Sequence, residues 1–216
     1  MDWSERFERA SERYRGGEAR EADQRQLTQL ANAAWAAGLC LLMAGRQDEA
    51  GEWLRTAASR YRESWDAGAP PDSWGRPIGA TKGLLLAGDD ARDAARWALD
   101  AGAAAAGSPI GRYAAALALL VLGRDHEARA LGETLRARDD FPRDVANAVT
   151  ALAAADPAGY AVAVEAVLRS FEARDSFLED IPVADTVLVL QHLAAARGLA
   201  ADLPPSDLTP ADTSGL

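Results

Sequence analysis

The stretch Ala31–Glu63, ANAAWAAGLCLLMAGRQDEAGEWLRTAASRYRE, decides how the rest of the chain is read. Its first half is apolar over most of a helix circumference, the pattern of a helix buried on most sides. Gly45 stops that helix, and Arg46, Gln47 and Asp48 form a short polar turn. From Asp48 a second helix runs to about Trp65, carrying Ala50, Trp53, Leu54 and Ala57. Small residues at a crossing let two helices approach closely, and bulky ones nearby fill the gap. The stretch is one helix–turn–helix unit.

The unit recurs. A helix from Ile78 to Leu86 leads to Gly88, a turn at Asp89 and Asp90, and a helix to about Ala106. Gly111 to Leu122 leads to Gly123 and a helix to about Arg138, and Asp144 to Ala155 leads to a turn at Asp156 and Pro157 and a helix to about Arg174. Aligned on their turns, Gly45, Gly88, Gly123 and Asp156 are 43, 35 and 33 residues apart (88 − 45, 123 − 88, 156 − 123). The first interval holds the Pro/Gly-rich loop from Asp66 to Pro77. Before the first unit, Trp3, Phe7, Ala10 and Tyr14 mark one face of a further helix, stopped by Gly16 and Gly17. After the last, Pro182 starts a helix to about Arg197, capped by Gly198. The Pro/Ser/Thr/Asp-rich tail, residues 204–216, reads as disordered, leaving 1–203 as a single helical-repeat domain. A period in the thirties built from paired helices signals a helical solenoid.

In Ala31–Glu63, Gly38 and Gly45 stand seven apart, and Ala50, Leu54 and Ala57 follow at the small and large packing positions of the tetratricopeptide-repeat family. The chain resembles that family from about Ala31 to Arg174. Leu119, Gly123 and Ala128 match in a later unit, Gly132 and Leu135 depart from the pattern, and Asp156 stands where a turn glycine is expected. The resemblance implies an all-α, right-handed α–α superhelix of about four helix pairs. It also implies that the first helix of each pair lines a concave binding face. Asn32, Trp35 and Leu39 would lie there, with Ile78, Lys82, Arg112 and Tyr113. The C-terminal part is faintly similar to Ala/Leu-rich helical immunity proteins of bacterial toxin systems.

Composition narrows the function classes. The 216 residues include 50 Ala and 22 Arg against one Lys, and the net charge is −10. An acidic chain without a Lys/Arg block argues against nucleic acid or an anionic membrane as partner, since both need clustered positive charge. One Cys and two His leave no usual zinc set and no internal disulfide. No signal-peptide core or membrane-length apolar run is seen, so a cytoplasmic location is expected. No cofactor motif is present, and neither His126 nor His192 has a Ser or Cys partner at a catalytic spacing, so a non-enzyme is expected.

The resulting expectation is a scaffold that binds a protein or peptide through Asn32, Trp35, Lys82, Arg112 and Tyr113. Trp, Tyr and Arg are residue types that anchor interfaces. Two of them have a plainer reading: Trp35 as core, and Lys82 reaching solvent from a helix rim. All six Trp fall in the first half, either as core filling or, for Trp65 and Trp74, as walls of a pocket under the 66–77 loop. The acidic run Glu172, Asp175, Glu179, Asp180 and Asp185 reads as a solvated face. Two alternatives are an acidic immunity- or inhibitor-type protein masking a basic partner, and a homodimer joined along the Ala-rich stretch from Ala101 to Ala118. A further alternative is that Leu203, Pro204, Pro205 and Leu208 fold back into the groove as an internal ligand.

Overall fold

The structure, a computed structural model, describes residues 1–18 and 22–211. Among these it is all-helical, with ten α-helices in chain order. They are α1 (Trp3–Gly17), α2 (Gln24–Met43), α3 (Gln47–Asp66), α4 (Gly75–Leu86), α5 (Arg92–Asp100), α6 (Pro109–Val121), α7 (Asp125–Arg136), α8 (Arg143–Ala153), α9 (Pro157–Glu172) and α10 (Asp185–Ala195). Each of α1 to α9 packs on its neighbours in sequence, so α2/α3, α4/α5, α6/α7 and α8/α9 are successive pairs. The first helices also touch one another, α4 against α6 and α6 against α8. No helix among the described residues is long and apolar enough to cross a membrane.

The pairs share one turn. In α2 the Gly45 N–H donates to Leu42 and the Arg46 N–H to Leu41, the paired bonds that satisfy the last carbonyls of a helix. The same two bonds close α4 at Gly88 and Asp89, α6 at Gly123 and Arg124, and α8 at Ala155 and Asp156. Gly45, Gly88 and Gly123 sit at φ of +71°, +75° and +70°, where a side chain is disfavoured. The fourth left-handed position is Ala155, at φ +51°. The equivalence drawn at Asp156 is therefore one residue late. Asp156 caps α9 instead, its side chain accepting from the Gly159 N–H.

The repeated small residues do what their spacing implied. A Cβ on Gly83 of α4 would stand 2.9 Å from the Leu54 carbonyl oxygen of α3, so the two backbones meet only because that position is glycine. Gly132, which departs from the family pattern, lies against Thr150 of α8. The loop after α3 is shorter than its composition suggested. Only residues 67–74 are irregular, because Pro77 falls in the first turn of α4, where a missing N–H costs nothing. Trp65 and Trp74 touch at 5.8 Å between ring centres, and Trp65 meets Trp97 edge-on at 5.7 Å. These rings pack on one another under the loop, with Trp74 buried.

The chain then turns back. A 3₁₀ turn at Leu178–Asp180 packs on α2, and α10 packs on α4, α8 and α9. Glu179 and Asp180 are both at φ +57°, unusual for residues with side chains. Arg13 pairs with Glu179 at 3.1 Å and Arg6 donates to the Asp180 carbonyl, so α1 holds this turn. The expected disorder from Pro204 is not what is found as far as Ala211. Leu208 is buried, its carbonyl accepts from the Ala184 N–H at 2.8 Å, and the Ser206 hydroxyl donates to Glu172 at 2.7 Å. Residues 212–216 lie outside the described part. Leu208 thus does fold back, but what crosses the first helices is mainly the turn and α10.

Candidate functional site

Two places concentrate polar chemistry: the contact between α10 and the first helices, and a groove beside α10. In the first, Lys82 is only 7% exposed. It therefore does not reach solvent from a rim. Its Nζ donates to Asp185 Oδ2 at 2.9 Å and to Thr186 Oγ1 at 2.8 Å, joining α4 to the first turn of α10. Burial by itself pushes the Lys82 ammonium pKa down, but Asp185, together with Tyr113, more than offsets this and leaves it raised. Asp185 is thus a charge partner, not part of a solvated acidic face. Tyr113 is buried beside Thr186 and its hydroxyl forms no hydrogen bond of normal geometry, while burial raises its pKa.

The other residues expected on a binding face divide. Asn32 Oδ1 accepts from the Tyr61 hydroxyl at 2.7 Å, tying α2 to α3. Trp35 is 4% exposed and belongs to the main apolar core. Arg112 is half-buried and donates to the Ala106 carbonyl at 3.1 Å, steadying the loop before α6. Of the five, only Lys82 and Tyr113 come together, and α10 covers both. An open face bearing Trp35, Lys82 and Tyr113 does not exist in this arrangement. The Ala-rich stretch is also largely interior, since Ala103, Ala114, Ala115, Ala116 and Ala118 are buried.

A second tie holds α10 from its far end. Arg197 donates to the Leu120 carbonyl at 2.6 Å and to Asp125 at 2.7 Å, and Gln191 exchanges two hydrogen bonds with Ala201. Residues 200–211, held to α10 at Ala201 and to Ala184 through Leu208, line a half-open groove of about 1140 Å³. Gln191 and His192 of α10, backed by the buried Val187 and Leu188, form one wall, and residues 200–211 form the other. Met1, Trp3 and Met43 also line it, and Glu172, Asp202 and Asp207 add three carboxylates, with no Lys or Arg side chain among the described lining residues. Burial holds the His192 pKa below its ordinary value, so its ring is neutral at pH 7.

Compared with known protein families, with curated proteins and with solved structures, the chain matches none of them.

Among the described residues, no three His, Cys, Asp or Glu come together in a way that could hold a metal ion. Cys40 is fully buried, and burial pushes its thiol up to about 11, so it is protonated at neutral pH. The groove carboxylates had only a weak signal in the sequence. Glu172 was visible within an acidic run, but Asp202 and Asp207 lay in a stretch whose composition reads as disorder. Nothing local in the sequence joins them.

Proposed function

We propose that this chain is a non-enzymatic protein- or peptide-binding scaffold of tetratricopeptide-like build, its successive pairs forming a right-handed superhelix. The supporting observation is the use made of the first helices. They already hold a chain segment, the turn at Leu178–Asp180 and α10, through buried apolar side chains and the Lys82–Asp185 pair. A helix laid along an apolar face is a recurring mode of segment recognition. Here the segment is supplied in cis, which leaves a partner the groove beside α10 and the outer helix faces.

The test is affinity capture from the source organism's lysate with the whole chain as bait, at low and at high salt. One dominant partner retained at both salts is the expected result, and no partner at either salt overturns the reading. A second reading, an immunity- or inhibitor-type protein masking a basic toxin or nuclease, is favoured by the three carboxylates around the groove and the net charge of −10. It predicts a basic partner released as salt rises, because electrostatic masking is screened.

A further inference from the structure

The groove beside α10 has a chemistry of its own. Its volume, about 1140 Å³, exceeds the roughly 300–1,000 Å³ that suits a drug-sized ligand. Its lining combines two classes of contact. Trp3, Met43, Leu203 and Pro204 supply apolar surface, and a thioether side chain adapts to irregular shapes. Glu172, Asp202 and Asp207 supply negative charge, and the described lining residues hold no Lys or Arg, the one positive group there being the N-terminal ammonium of Met1. Elsewhere on the surface a number of carboxylates are neutralised by arginines close in sequence. Examples are Arg46 with Glu49, Arg62 with Asp66, Arg124 with Glu127 and Arg138 with Asp140. Asp202 and Asp207 are both exposed and have no such partner among the described contacts. Of the three, only Glu172 is engaged, by Ser206.

From this we infer that the groove between α10 and residues 200–211 is a docking site for a segment of a partner protein in which arginines alternate with large apolar side chains. The inference rests on the protein-binding reading above and says which chemistry that binding uses. Arginine fits better than lysine, because its planar fork can engage one carboxylate with two N–H groups while its stem lies on apolar surface. An acidic or purely apolar segment would leave carboxylates facing like charge or shut away from water without a partner.

The test uses the full chain and a fluorescein-labelled twelve-residue peptide alternating Arg and Leu, followed by anisotropy. Saturable one-to-one binding that weakens steeply with salt is expected. The D202N/D207N double variant should lower affinity about five- to tenfold at low salt, the range for two exposed charge contacts. A D72N/D100N variant removes the same net charge from positions that do not line the groove and should change affinity less than twofold. Equal losses in both variants would mean that only net charge is read, and would overturn the proposal. So would undiminished binding of a peptide with Glu in place of Arg. Binding seen only with a chain ending at Ala211 would assign the groove to the chain's own last five residues and also overturn it. Capture of a partner by wild type and D202N/D207N alike would sink this inference while leaving the scaffold reading intact.

Discussion

The α2–α3 pair and the C-terminal return from Phe177 to Ala211 are stabilised by different physics. The pair is held by short-range devices: a glycine-closed turn, small residues at the crossing, and arginine–carboxylate bonds a turn apart. The return is held by bonds that span the chain. Lys82 reaches Asp185, Arg197 reaches Leu120 and Asp125, Arg6 reaches Asp180, and Arg13 reaches Glu179. A device made within a few residues repeats in a sequence and can be recognised there. A device made between residues a hundred positions apart leaves no periodic trace.

The largest way to break this contrast is to remove the anchor of the return. Lys82→Met keeps the stem but leaves Asp185 without its ammonium, and should cost about 3 kcal/mol in urea unfolding. Limited proteolysis should then cut first between Phe177 and Ala211, with the α2–α9 array remaining as the resistant fragment. Simultaneous loss of both would mean that the return is part of one cooperative unit with the array. The Lys82 pKa is raised in the folded chain, so its contribution is complete below the ordinary value of 10.5 and is lost as pH rises above it. A stability profile that falls more steeply above pH 10.5 in the wild type than in Lys82→Met would fit. The Cys40 thiol also contributes to the fall in both chains, because its burial raises its pKa to about 11.

Breaking the array instead calls for Gly83→Ala. The added Cβ meets a backbone oxygen that cannot rotate away, so α3 and α4 must separate at a cost of about 2 kcal/mol. Here the early proteolytic cuts should fall near the α3–α4 loop, opposite in position to those of Lys82→Met. A smaller effect separates the two regions by pH. Burial lowers the His192 pKa, so its share of stability is present above the ordinary value of 6.5 and shrinks as pH falls below it. His192→Gln should flatten that acid limb, read by thermal melts between pH 7 and 5. The smallest expected change is a gain. Ala155→Gly relieves a left-handed alanine and should raise stability by about 1 kcal/mol, making the fourth turn like the other three.

Much of the array was legible from residues alone. Gly45, Gly88 and Gly123 marked the turns because only a residue without Cβ takes that backbone conformation at low cost. The fourth turn was displaced by one because Ala155 carries no such signature. The candidate site was legible only in pieces. Lys82 and Tyr113 were singled out for their type and place on first helices, and they do meet. They meet inside the fold, with Asp185 and Thr186 closing over them, so their role is to hold α10. Trp65 and Trp74 followed the plainer of their two readings, as ring packing with Trp97.

By itself, then, the sequence determined an all-helical chain of paired helices with their turns, because helix period, glycine stops and small-residue spacing are local properties. It also determined an acidic molecule without a basic block. Tertiary structure alone decided which face is open. The return covers the first helices because Val183, Val187, Leu188, Val189 and Leu190 bury their side chains there, and Lys82, buried with them, is paired with Asp185. The same fold-back draws Glu172, Asp202 and Asp207 around one groove. Charges separated along the chain become one site only when the backbone between them is folded.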